Sequence, residues 1–160
     1  MTPPSESKSV DRARAALAAL GATGQVRALD DSARTAKEAA DALGVEVGQI
    51  ASSLVFLADG EPVLVIASGG HRVDTMQLGS ILDASHVGKA TADDVRKATG
   101  YAIGGVAPVG HPHPLRTIVD IALSRYDVVW AAAGHPHYVF PTSYDELLRI
   151  SAGEAGEVGA

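Results

Sequence analysis

Two almost unbroken apolar runs stand out along the chain, Ile50 to Leu57 and Val63 to Ala67, separated by Ala58-Asp59-Gly60-Glu61-Pro62. An Asp-Gly pair between such runs predicts a β-hairpin. Apolar character on successive residues predicts strands covered on both faces. Around this hairpin the apolar positions fall at helical spacing. Asp11 is placed to cap a helix through Ala13, Ala16, Leu17 and Leu20 that Gly21 stops, and Ser32 precedes a second, Thr35 to Leu43, closed by Gly44. Asp74 to Leu82, Ala92 to Thr99 and Ser143 to Ile150 read as further helices. Gln25 to Leu29, Thr117 to Asp120 and Asp127 to Ala132 read as strands, with Tyr138 to Pro141 as an edge piece. Residues 1–10, polar and carrying Pro3 and Pro4, read as a flexible leader; the small, acidic residues 151–160 read as a flexible tail. Nothing divides residues 11–150 into two cores, so one α+β domain is expected, a mixed sheet with helices outside it.

Composition narrows the classes. With 160 residues, of which 46% are hydrophobic and 20% charged, the chain can bury one proper core. Acids outnumber bases 19 to 13, a formal charge of -6, which argues against coating of DNA or RNA through many phosphate contacts. Absence of cysteine removes disulfides, thiolate nucleophiles and iron–sulfur clusters. No apolar run approaches the ~20 residues of a membrane span, and the first residues lack the pattern of a secretory signal. The expected location is cytoplasmic, without a membrane partner.

Several residues can carry chemistry. The passage Thr99 to Gly110 clusters glycines around Gly104 and Gly105 and stiffens at Pro108. Free N–H groups in such a loop can hold an anion or a developing oxyanion; equally, the glycines can serve a tight barrel corner. It is no Walker loop, because no Gly-Lys-Ser/Thr ends it. Two His-Pro-His triplets, His111–His113 and His135–His137, raise a metal site. Neither contains an acid and the HExxH spacing is missing, so no metal and no cofactor are expected, and His137 or His113 reads as a ligand contact instead. Ser52 and Ser53 interrupt the first apolar run, but the Gly-x-Ser-x-Gly elbow of a serine hydrolase is absent. Asp120 ends a strand, where it can accept a substrate hydroxyl or amine, or cap the following turn. Arg34, Arg72, Lys89, Arg96, Lys97 and Arg116 are the bases available for a patch, and scattered surface charge accounts for about half of them.

Four segments in order, Arg34-Thr-Ala-Lys-Glu-Ala-Ala-Asp-Ala-Leu-Gly-Val45, Gln49-Ile-Ala-Ser-Ser-Leu-Val-Phe56, Ala98-Thr-Gly-Tyr-Ala-Ile-Gly-Gly-Val-Ala-Pro-Val-Gly110 and Leu115-Arg-Thr-Ile-Val-Asp120, resemble the YbaK/EbsC family, which includes the editing domain associated with prolyl-tRNA synthetase. The resemblance runs from about Gln25 to Ile150. It implies a mixed, partly barrel-like β-sheet surrounded by helices. It also implies a free-standing protein that hydrolyses the ester of mischarged aminoacyl-tRNA in trans, with an aminoacyl-tRNA synthetase as a further partner. The pocket would lie between the strand bearing Ser52 and Ser53 and the loop at Gly104 and Gly105. Backbone N–H groups of Gly104 and Gly105 would stabilise the oxyanion, and Ser52 or Ser53 would orient the water. Ser53, Leu54, Ile103, Pro108, Asp120 and His137 would bind substrate; Leu54, Ile103 and Val139 would favour a small, uncharged side chain. Ser52 stands where editing members usually carry a lysine, which would place a positive charge beside the ribose or phosphate. Two further departures lie at His137-Tyr-Val-Phe140 and at Val26 to Asp30. The other reading these departures motivate is a module that binds an aminoacyl-tRNA end or a small amino-acid ligand without turnover.

Overall fold

The apolar hairpin forms the spine of the sheet. In the computed structural model, which describes residues 4–29 and 35–159, β2 (Ile50–Ala58) and β3 (Glu61–Ser68) pair antiparallel from Ala51↔Ser68 to Ala58↔Glu61. Asp59 and Gly60 both have positive φ, 49° and 86°, the signature of the tight turn that matches strand twist. Leu64, Val65 and Ile66 are completely buried, as expected for a strand covered on both faces. One cover joins Leu64 and Ile66 to α1 (Pro4–Ala19), to α5 (Tyr144–Ser151) and to the loop residues Tyr101, Val106 and Val109. The other joins Val63 and Val65 to Leu78 and Leu82 of α3 (Thr75–Leu82).

The sheet grows outward from this hairpin with mixed polarity. On the β3 side, β5 (Arg116–Asp120) and then β8 (Glu154–Gly156) add in parallel. On the β2 side, β6 (Val129–His135) adds in parallel, followed antiparallel by β7 (Tyr138–Thr142) and β1 (Arg27–Ala28). A short strand, β4 (Val87–Lys89), pairs with the far end of β2. Capping explains the remaining helices. α2 (Ala36–Leu43) starts in a capping box between Thr35 and Glu38 and closes at Gly44 (φ 71°), while α4 (Ala92–Thr99) starts in one between Thr91 and Asp94 and closes at Gly100 (φ 78°). The cap expected at Ser32 lies outside the described residues.

Two expectations about the ends need correction. Residues 4–10 are not a loose leader: α1 begins at Pro4, well before Asp11, and Val10 is 3% exposed. Proline costs nothing in a first helical turn, whose N–H groups have no intrahelical partner. The segment after Ser151 does not fray. β8 lies along β5 with Ile118↔Glu154 in register, Val158 is fully buried, and its carbonyl accepts from the Asp74 N–H at 2.7 Å. A three-residue strand of Glu, Ala and Gly carries no periodicity to read, and the same holds for β4, which the apolar pattern did not signal.

Candidate active site

The partners of β2 leave a gap along one of its edges. Gly69 N–H donates to the Ile50 carbonyl at 2.8 Å, so even-numbered residues of β2 direct their backbone groups toward β3; Asp59 N–H donates to the His86 carbonyl at 2.8 Å, so odd-numbered ones face the opposite edge. On that edge β6 takes Ile50 and Ala51, and β4 takes Phe56 to Ala58. Between them no strand among the described residues reaches the amide and carbonyl of Ser53. Its hydroxyl, Oγ, is buried and without a hydrogen-bond partner among the described residues.

A cavity of about 430 Å³ opens at this gap. Ser52, Ser53 and Leu54 form its β2 wall, and Ile103 and Gly104 approach from the loop after α4. Trp130, Ala132 and Val139 from the β6–β7 hairpin, and Ala36 and Ala39 from α2, make most of the remaining wall apolar. Leu54 and Ile103 are 39% and 61% exposed, which puts apolar surface at the mouth. Lys89, from β4, is the one charged side chain of the lining among the described residues. It pairs in register with Phe56, so its side chain leaves the sheet on the face shared with Ser52 and Leu54.

The glycine loop is braced from behind. Tyr101 is fully buried and its hydroxyl donates to the Val109 carbonyl at 2.8 Å. The Arg12 guanidinium lies 4.4 Å from the centre of that ring and donates to the Gly100 carbonyl at 2.5 Å. Burial pushes the Tyr101 phenol up and the His111 imidazole down from their ordinary values; the His111 Nε2 contacts the Ala107 carbonyl at 2.8 Å. The two adjacent glycines then divide their tasks. Gly105 donates its N–H to the Ala102 carbonyl at 3.0 Å, and a Cβ there would come within 2.7 Å of His135 Cα. Close backbone packing is what requires glycine at 105. Gly104 has φ 85°, a Cβ there would meet nothing nearer than Pro136 Cγ at 3.6 Å, and no backbone bond claims its N–H among the described residues.

Residues 30–150 match the family described as the aminoacyl-tRNA editing domain. The chain belongs to this family. Among curated relatives of the editing domain, a proline–tRNA ligase of Lactobacillus acidophilus is 30% identical over 130 residues, covering 77% of this chain and 23% of the ligase. One of Streptococcus suis is 33% identical, over 84% of this chain and again 23% of the ligase. The chain thus spans about a quarter of the length of these ligases. A Bacillus subtilis protein, YwhH, is 29% identical and matches over 79% of this chain and 80% of its own length. Among solved structures, one described as a candidate trans-editing enzyme for prolyl-tRNA synthetase superposes with a TM-score of 0.91 at 38% identity, covering 100% of this chain and 99% of that one.

Within the editing domain, the cavity gathers Ser52, Ser53, Leu54, Ile103, Gly104 and Val139, and leaves the other expected site residues outside its lining. Gly105 packs behind Gly104, with its N–H already bonded. Pro108 is buried in the brace of the loop. His137 belongs to the turn joining β6 and β7, where its carbonyl accepts from Leu29 N–H at 2.6 Å; its neighbour Pro136 reaches the cavity instead. Asp120 lies away from the cavity, 1% exposed, accepting from Ser68 N–H and Ala122 N–H at 2.9 Å each and facing His71 Nε2 at 2.5 Å. It caps the turn Ile121–Arg125, the second of the two roles open to it from sequence. No three His, Asp or Glu side chains among the described residues come together as a metal site. Lys89, Trp130 and Pro136 were not legible as wall residues: Lys89 stood only as one of several scattered bases, and a single Trp or Pro carries no spacing to interpret.

Proposed function

We propose that this editing domain is a free-standing aminoacyl-tRNA deacylase that hydrolyses the ester of mischarged tRNA in trans. The observation that carries the reading is the cavity beside Ser53: among the described residues, an apolar chamber with backbone and hydroxyl groups in one wall that make no bond within the fold, and Lys89 as the cation at its edge. Its similarity along the whole chain to a candidate trans-editing enzyme supports action without an attached synthetase. Ester hydrolysis needs an oriented water, a proton acceptor and stabilisation of the tetrahedral oxyanion. Gly104 N–H is the loop amide available to that oxyanion, whereas Gly105 N–H is not. Ser52, on the wall, positions the water, and the neighbouring ribose hydroxyl of the substrate takes part in the proton transfer, leaving the protein chiefly to hold groups in place.

The cavity walls on both faces of β2, with Leu54, Trp130 and Val139 on one and Val55, Val95 and Val106 on the other, are apolar and favour a small, uncharged side chain, because a charged one would lose its hydration without a partner. Lys89 sits where the phosphate of the terminal nucleotide can reach it, a compact charge suited to one anionic oxygen. Charged tRNA is cytoplasmic, and among the described residues no helix is long and apolar enough to cross a membrane. The test is ester loss from a panel of correct and mischarged aminoacyl-tRNAs, including alanine and cysteine on the proline tRNA. Enzyme-dependent loss from a subset is expected. No loss from any member, with the protein folded, overturns hydrolysis and leaves a binding module.

A further inference from the structure

Ser53 carries three polar groups that no described residue of the fold uses. Its amide and its carbonyl face the gap between β6 and β4, and its hydroxyl is buried without a partner among the described residues. Buried polar groups are nearly always bonded in a finished structure. All three belong to one residue, and that residue lines the cavity. The gap has a defined length. Between Ala51, the last residue on β6, and Phe56, the first on β4, lie Ser52, Ser53, Leu54 and Val55, roughly 13 Å of strand at about 3.3 Å per residue.

We propose that the aminoacyl group docks in this gap as a one-residue antiparallel strand, its α-amino group donating to the Ser53 carbonyl and its ester carbonyl accepting from the Ser53 N–H. The proposal rests on the deacylase reading for the identity of the ligand and adds the way the amino acid is read. In an antiparallel ladder, alternate opposing residues exchange both of their backbone bonds. An amino acid esterified through its carbonyl presents that same pair, one N–H donor and one C=O acceptor flanking a single Cα.

Two consequences follow from the direction of β2. An antiparallel guest points its amino group toward the β4 end of the gap and its ester toward the β6 end. A group attached to the nitrogen would run into β4, so N-acylated and peptidyl esters are excluded while free aminoacyl esters enter. The guest side chain emerges on the same face as that of Ser53, the face of Ala51 and Val55, where Val95 and Val106 complete an apolar wall. As the ester carbonyl becomes tetrahedral, its oxygen remains against Ser53 N–H, which then acts beside Gly104 as an oxyanion donor.

The probe is the stable amide analogue of alanyl-adenosine, in which nitrogen replaces the ester oxygen, compared with its N-acetyl derivative. Titrated into nitrogen-labelled protein, the free amine is expected to move the Ser53 amide resonance downfield. The N-acetyl compound is expected to bind on the order of 30-fold more weakly, because the clash of its acetyl group with β4 pulls the remaining N–H off the Ser53 carbonyl. Equal affinity of the two compounds, a stationary Ser53 amide in the presence of bound analogue, or no binding at millimolar concentration would each overturn the proposal. Ser53→Ala keeps the backbone pair; it should bind the free amine within about twofold of the parent protein and still reject the N-acetyl compound. Lost rejection in that variant would mean that the hydroxyl, not the strand edge, reads the amine. Turnover is measured separately on the panel of correct and mischarged aminoacyl-tRNAs: a shifted Ser53 amide without ester loss from any member would sink the deacylase reading and leave the docking mode standing.

Discussion

Two buried polar sites flank the central hairpin, and they are finished to different degrees. At Asp120 every oxygen is occupied: Ser68 N–H, Ala122 N–H and His71 converge on the carboxylate, and Ser68 in turn donates its hydroxyl to the Gly48 carbonyl at 2.7 Å. At Ser53 no partner among the described residues takes the hydroxyl, and neither β6 nor β4 takes the amide and carbonyl. Both residues come from β-strands whose apolar neighbours fill the same core, Val119 beside Asp120 and Val55 near Ser53. A closed network of buried hydrogen bonds is architecture; an open one is a place kept for something that arrives later.

Exchanging the two roles gives the sharpest test. Asp120→Ala strands two buried N–H donors and should cost about 3 kcal/mol or more of folding stability, lowering Tm by roughly 10 °C for a chain of this length. Urea and thermal melts measure it, and the folded fraction should keep its turnover. Ser53→Ala should change stability by less than about 0.5 kcal/mol, or raise it slightly, since it deletes a hydroxyl with no partner among the described residues. Equal losses in the two variants would break the contrast.

The paired glycines repeat the contrast on a smaller scale. Gly105→Val pushes a side chain into the His135 backbone and should cost about 2–3 kcal/mol in a melt, so any loss of activity there is a loss of fold. Gly104→Ala meets open space but holds an unfavourable positive φ, at about 1 kcal/mol. It should lower kcat in the fully folded protein. Lys89→Met removes the only charge in the described lining and should raise KM on the order of tenfold with kcat nearly unchanged, flattening the salt dependence by about one phosphate contact. Lys89→Arg should restore most of it. The smallest effect is at His111, whose burial favours the neutral ring. Because the unfolded chain takes up that proton first, stability is complete above about pH 6.5 and declines as pH falls below it. A series of melts between pH 7.5 and pH 5 reads the decline, and His111→Gln should flatten it.

The hairpin was readable because continuous burial writes itself as an unbroken apolar run, and five helices because their spacing and, for α2 and α4, their closing glycines are local signals. The glycine loop announced a cavity wall but not which amide was free. That depends on a turn bond from Gly105 to Ala102 and on the approach of His135, thirty residues away. Asp120 looked like a ligand group because a carboxylate at a strand end has the same letter whether its bonds are made inside the fold or kept for a substrate. β4 and β8 were invisible, since three residues have no period, yet one of them bounds the gap and supplies Lys89.

The same gap has a kinetic side. β2 finds β3 at once, across a two-residue turn, but the strand that defines the other end of the opening is β6, and Ile50 must wait for Trp130. α1 waits longer still: Gly134 of β6 packs so tightly on the Ser9 carbonyl that a Cβ would come within 2.4 Å of its oxygen. Pairings this distant along the chain slow folding. During synthesis the hairpin therefore emerges early, with its apolar edge open for as long as the ribosome takes to add the roughly sixty residues from Ser68 to Trp130, so the future binding site is exposed to wrong pairing before any tRNA can reach it.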